Sequence, residues 1–138
     1  MRNYTLRPQI TVSQSEYQKL LALAAAGSGP LSAGAARLFD EMERARIVAD
    51  QKLPADIVRM GSRVVYRTDR DEELEVVLVF PADADISERK ISVLTPVGAA
   101  LIGLRTGQSI TWESRDGRNN ALTVLSVVQD AAQPVETR

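Results

Sequence analysis

The sequence predicts an α+β fold: a short antiparallel helical hairpin followed by a curled antiparallel β-sheet around one short helix. Three observations predict it. Apolar residues recur at spacings of three and four between Tyr17 and Ala45, the period of a helix. After Pro54 the pattern changes to alternation and short apolar runs, the signature of strands. Thr95-Pro96 then interrupts the strands with an N-cap followed by proline at a first helical position. Two regions follow, a hairpin over 1–53 and a sheet domain over 54–138, with a polar mobile tail from about 130.

Pro8 to Val12 reads as a short strand. Ser13-Gln14-Ser15-Glu16 fits a capping box, in which the Ser13 hydroxyl accepts from the N–H of Glu16 and the Glu16 carboxylate reaches back to the N–H of Ser13. Tyr17, Leu20, Leu21 and Ala24 form one apolar stripe, and Gly27 ends the helix. Ser32 is a plausible N-cap for a second helix. Its stripe is Ala35, Leu38, Phe39, Met42 and Ala45, and its opposite face carries Asp40, Glu41 and Arg44. At about 1.5 Å per residue, 13 residues make a helix only ~20 Å long, the stub of a coiled coil. Between Lys19 and Arg37 there is no charged side chain, so the hairpin tip, including Gly29, Pro30 and Leu31, carries no chemistry.

Asp50 to Pro54 reads as a linker. Strands follow at 62–68 and 73–80, joined by the polar turn Asp69-Arg70-Asp71-Glu72, and a loop at 81–85 leads to a short strand at 90–93. Val97, Ala100, Leu101 and Leu104 form the inner face of the short helix. Ser109 to Glu113 is the next strand, Asp116-Gly117 a hairpin turn, and Ala121 to Val128 the last strand.

Composition excludes several chemistries. The chain of 138 residues has 17 basic and 18 acidic side chains, and this balance argues against a general nucleic-acid binder. It has no Cys and no His. Disulfides, thiolate zinc sites, a Ser-His-Asp triad and a phosphohistidine are all excluded. The first residues, MRNYTLRPQITV, lack the apolar core of about 7–15 residues that a signal peptide needs. No stretch reaches the roughly 18 apolar residues of a membrane span. The expectation is a cytoplasmic protein with no membrane partner.

The most specific stretch is KISVLTPVGAALIGLRTGQSITWE, Lys90 to Glu113. It resembles the C-terminal domain of the Gre transcript-cleavage factors: Ile-Ser-Val, then Ser/Thr-Pro, then a helix closing in Ala-Leu-Ile-Gly, then a glycine turn into a strand. Met60-Gly61-Ser62-Arg63-Val64 fits the family's Gly-Ser lead into its first strand, and Pro81 to Asp85 stands where the family has an acidic loop. Within that superfamily the chain looks most like the Rnk-type regulators, named for nucleoside diphosphate kinase, on SRVVY, TPVGAALIGLRTGQSITWE, its length and its short hairpin. The resemblance covers about half the chain strongly; over 1–50 it rests on architecture.

The resemblance implies an FKBP-like sheet domain and docking at the rim of the RNA polymerase secondary channel. Carried over by position, the docking residues are Leu94, Thr95, Pro96 and Val97. The cleavage factors often have a polar or acidic residue where this chain has Leu94, which leaves an apolar contact there. In those factors acidic residues at the tip help hold a catalytic metal. Here the nearest carboxylates, Glu16 and Asp40, lie two turns or more from the tip. The expected function is therefore a non-enzymatic polymerase binder that competes with Gre factors without stimulating cleavage. No catalytic residue, cofactor, metal or sequence-specific nucleic acid is expected, and the protein is a monomer or weak dimer. Without His the chain cannot itself be a nucleoside diphosphate kinase by the phosphohistidine route.

Asp83 cannot open a calcium loop, because Glu88 and Leu94 stand where Gly and Glu are required. The acidic residues 69–75 read as solvated turns. Arg59, Arg63, Arg67 and Arg70 form a loose basic group that either meets an acidic partner or phosphates or is a solvated sheet face. Trp112 reads as packing. Gly98, Gly103 and Gly107 are too far apart for a nucleotide loop. Tyr66, Phe80 and Trp112 are too few rings for a prolyl-isomerase pocket, and the fold alone does not imply that activity. The alternative is a dimerising interaction module built on Leu31, Leu38 and Phe39, which no longer binds polymerase.

Overall fold

The Glu16 N–H donates to Ser13 Oγ at 3.3 Å, so one half of the capping box forms. The other half does not: Glu16 Oε1 instead accepts the Met60 N–H at 3.2 Å, tying the first helix to the chain that leads into the sheet. The Asp50 carboxylate accepts the Ser15 N–H at 3.0 Å. That bond holds Asp50 below the usual carboxylate range. The computed structural model describes residues 7–26, 33–113 and 117–129. The hairpin tip, with Gly29, Pro30 and Leu31, and the tail from 130 lie outside them.

Strand β1 (Thr11–Ser13) leads into helix α1 (Gln14–Ala26). Helix α2 (Ala33–Arg44) returns antiparallel beside it and delivers strand β2 (Arg46–Val48). β2 pairs parallel with β1, Thr11 opposite Arg46. The sequence reading missed β2 because three residues are too few to show a period. The strand expected at Pro8 to Val12 begins only at Thr11. The expected linker at Asp50 to Pro54 is a 3₁₀ turn over Asp50–Lys52 with Leu53 buried behind it.

The main sheet has strands β3 (Arg63–Thr68), β4 (Glu73–Val79), β5 (Lys90–Ser92), β6 (Ser109–Glu113) and β7 (Asn119–Val128), in the order β5-β4-β3-β7-β6. All neighbours are antiparallel except β5, which runs parallel to β4 at the edge. The 81–89 connection makes this possible: its two 3₁₀ turns, over Pro81–Asp83 and Ile86–Glu88, carry the chain back beside the last three residues of β4, with Lys90 opposite Val77 and Ser92 opposite Val79. On the exposed face Arg67 bonds Glu73 directly across the strands at 2.7 Å, and Arg63 reaches Glu75 at 3.3 Å. Arg63 and Arg67 of the basic group thus pair with the acidic cluster across the strands, while Arg59 bonds Gln129 instead.

A single buried cluster joins both parts of the chain. Ile10, Val12, Leu20, Ala24, Leu38 and Met42 pack with Val64, Leu78, Leu101, Leu104, Ile110 and Val124. Tyr66 is in this core too, and burial raises its pKa. The stripe of α1 is as expected, with Leu20 and Ala24 buried and Tyr17 and Leu21 packed against the core. The stripe of α2 needs two corrections. Phe39 is 39% exposed, and Glu41, assigned above to the outer face, is 1% exposed. Gly34, Leu38, Glu41 and Ala45 fall on one line of the helix, and that line faces inward. Leu38 is fully buried and is not available to a second copy.

Burial raises the pKa of Glu16, although the Met60 N–H, Arg59 and Lys19 pull it down. The folded chain therefore holds this proton to higher pH than the unfolded chain. The stabilisation is complete below the unfolded value and is lost as pH rises through the folded one. Glu16→Gln keeps the acceptor for Met60 and removes the charge. It should raise Tm by about 1–3 °C at pH 7 and leave it unchanged below pH 4, as thermal scans at the two pH values will show.

Candidate partner-binding site

The turn between β5 and helix α3 (Pro96–Leu101) is built on Ser92. The Leu94 N–H donates to Ser92 Oγ at 2.9 Å, the Thr95 N–H to the Ser92 carbonyl at 3.0 Å, and the Thr95 hydroxyl to the same carbonyl at 2.7 Å. Thr95 has extended backbone and its Oγ1 accepts the Gly98 N–H at 3.0 Å, which is the expected N-cap. Pro96 follows at the first helical position, where a missing N–H costs nothing. The turn is thus fixed by its own sequence before any partner arrives.

What it presents is uncharged. From Ile91 to Leu104 there is no ionisable side chain. Thr95 and Pro96 are exposed, whereas Leu94 and Val97 are half-buried against the core. The Thr95 hydroxyl is already engaged as donor and acceptor, and Leu94 packs against the chain's own core.

Gly98 lets this turn sit close to the sheet. A Cβ there would lie 2.2 Å from the Ser92 carbonyl oxygen and 2.9 Å from Val93 Cα. On the other side the start of α2 is equally close: a Cβ on Gly34 would lie 1.3 Å from the Leu94 carbonyl oxygen. The hairpin does not stand clear of the sheet domain, since α2 packs along α3.

Buried Glu41 organises α2 against the rest of the chain. Glu41 Oε1 accepts Arg44 Nε at 2.8 Å and pairs with its Nη2 at 2.6 Å, while Oε2 pairs with Arg37 Nη2 at 3.1 Å. Arg44 Nη1 also donates to the Pro8 carbonyl at 2.6 Å. The Arg37 guanidinium lies 5.9 Å from the Trp112 ring centroid and donates to the Thr111 carbonyl at 3.4 Å. Trp112 is therefore packing, as expected, and also the seat of a cation–π contact. Sequence reasoning missed this cluster, although Arg37 and Arg44 flank Glu41 at four and three residues, the helical neighbours.

Among the described residues no group of three or more acidic side chains can hold a metal ion. Nor is any helix there long and apolar enough to cross a membrane.

Residues 53–129 match the family model for the GreA/GreB transcription elongation factor C-terminal domain, and residues 8–48 match the model for the Rnk N-terminus. The chain is 38% identical over 125 residues to a regulator of nucleoside diphosphate kinase from Escherichia coli K12, across 88% of this chain and 90% of that one. The chain belongs to the GreA/GreB family, in its Rnk branch. Transcription elongation factor GreA of Clostridium acetobutylicum is 37% identical over 83 residues, 59% of this chain and 52% of that protein. This Rnk-type chain thus spans about half the length of the GreA it matches. A solved GreA/GreB structure from Nitrosomonas europaea is similar with a TM-score of 0.67 and 35% identity, covering 88% of this chain and 99% of that one. These relatives are named as regulators and transcription factors, not as enzymes.

Proposed function

We propose that this protein is a non-enzymatic regulator that docks on RNA polymerase at the rim of the secondary channel, competes there with Gre factors and adds no cleavage chemistry. The observation that carries the reading is the Leu94–Val97 turn, which is held by its own hydrogen bonds and leaves Thr95 and Pro96 uncovered at the family's docking position. The hairpin supports the second half. Its helices have 13 and 12 residues, about 20 Å of reach at ~1.5 Å per residue. That is a stub, and no carboxylate cluster accompanies it among the described residues. The regions 1–53 and 54–138 are taken as its working halves. On this reading the protein works in the cytoplasm beside the polymerase, as a monomer or weak dimer. The kinase effect in the relative's name follows from transcription.

The test is binding of labelled protein to core RNA polymerase, with unlabelled GreA as competitor. Pro96→Ala removes ring contact and leaves the Thr95 cap in place. It should weaken binding by about 3–10-fold, the loss of roughly 1 kcal/mol from one exposed contact residue. GreA should displace the wild type. No binding at micromolar concentration would overturn the docking reading.

A further inference from the structure

We propose that the short hairpin braces the docking turn: Gly34, at the start of α2, is a positioning residue that holds the Leu94 carbonyl and with it the Thr95–Pro96 surface. The proposal rests on the docking reading and assigns a role to a hairpin too short to act as a probe.

Three observations carry it. First, backbone meets backbone. A Cβ on Gly34 would lie 1.3 Å from the Leu94 oxygen, 2.3 Å from its carbonyl carbon and 3.1 Å from the Thr95 nitrogen. There is no flexible side chain between them to absorb a movement, so a shift of α2 is passed directly to the turn. Second, the bonds made by the turn's own N–H and hydroxyl groups converge on Ser92 and Thr95, whereas the Leu94 carbonyl is the group that Gly34 meets. Third, α2 is itself anchored within one turn of Gly34. Arg37 donates to the Thr111 carbonyl, lies over Trp112 and pairs with buried Glu41, and Glu41 is held in turn by Arg44. The first turn of α2 is thus a strut, fixed to β6 through Arg37 and bearing on the β5–α3 turn through Gly34. Gly34 acts through Leu94; it does not itself touch the partner.

Gly34→Ala separates this from an ordinary helix effect, because alanine is the better helix former. Amide hydrogen exchange is measured in the free protein, and affinity for core polymerase in parallel. The amides of Leu94, Thr95 and Gly98 should exchange about tenfold faster, while Leu78 and Val124 in the central sheet keep their rates. Polymerase affinity should fall about tenfold. Gly107→Ala is the control. Gly107 has φ of 92° with nothing within 4 Å of a Cβ, so alanine strains the backbone there without touching the turn. It should leave both affinity and the three amides unchanged. If Gly34→Ala does not fold, Arg37→Met loosens the same strut and should speed the same amides about threefold.

The brace is overturned if the tested strut variant leaves exchange at Leu94, Thr95 and Gly98 unchanged. It is also overturned if Gly107→Ala lowers affinity as much as the strut variant does. Should the wild type itself fail to bind polymerase, the docking reading falls, and the exchange rates alone decide whether the hairpin braces the turn.

Discussion

Glu41→Ala should destabilise the fold by about 3–4 kcal/mol, one of the two largest effects expected from a single substitution here. The carboxylate is 1% exposed and sits between Arg37 and Arg44, with Arg7 of the N-terminal segment 3.9 Å from Oε2. Removing it leaves two partly buried guanidinium groups facing each other across a cavity, and each loses its counter-charge. Burial already lowers the Arg37 pKa, and Glu41 is the leading influence restoring it. For a chain of this size the loss corresponds to about 10 °C in Tm. The cost belongs to the unpaired charge rather than to the missing attraction. Arg37→Met combined with Glu41→Leu should therefore recover part of it, since one of the two uncompensated guanidinium groups is removed while Arg44 still lacks its counter-charge. Urea unfolding of the two variants beside the wild type checks this. A single Glu41→Ala loss below about 1 kcal/mol would show that solvent reaches the cluster.

Gly98→Ala should cost about 3 kcal/mol, against the direction of helix propensity, which alone favours alanine by about 1 kcal/mol. The added methyl meets backbone on the sheet side: the Ser92 oxygen at 2.2 Å, Val93 Cα at 2.9 Å and the Ser92 carbon at 3.0 Å. None of these atoms can rotate away. Helix α3 must lift from β5, which lengthens the Gly98 N–H to Thr95 Oγ1 bond and opens the cap. Stability and the shape of the β5–α3 turn should fail together. Chemical denaturation gives the first, and the amide resonance of Gly98 reports the second. An unchanged or higher midpoint would mean that the backbone at Ser92 and Val93 gives way freely.

The elements most legible in the sequence were those whose local signals agree with the packing. Thr95-Pro96 announced a cap and a helix start, and both form. The stripe Tyr17, Leu20, Leu21 and Ala24 faces the core as its period implies. What the sequence hid depends on contacts far along the chain. Glu41 reads as a surface charge until Arg37 and Arg44 are seen to enclose it. Glu16 reads as half of a capping box, yet Met60, 44 residues away, takes its carboxylate. Strand β2 has too few residues for periodicity and exists because β1 offers it an edge. Phe39 was counted with the stripe because four-residue spacing from Ala35 fits it, but the inward line runs through Gly34, Leu38 and Glu41 instead. The β5–α3 turn is legible in its motif; that Gly34 meets Leu94 in it cannot be read from a local window, because the two are 60 residues apart.

The most direct test of the account is a transcript-cleavage assay on stalled elongation complexes, with this protein added alone and then titrated against a fixed amount of GreA. No cleavage above the polymerase background is expected from the protein alone, and GreA-stimulated cleavage should slow saturably as the protein is raised. Stimulation by the protein alone, or GreA activity untouched by a large excess of it, would contradict the claim that it occupies the Gre docking position without the chemistry.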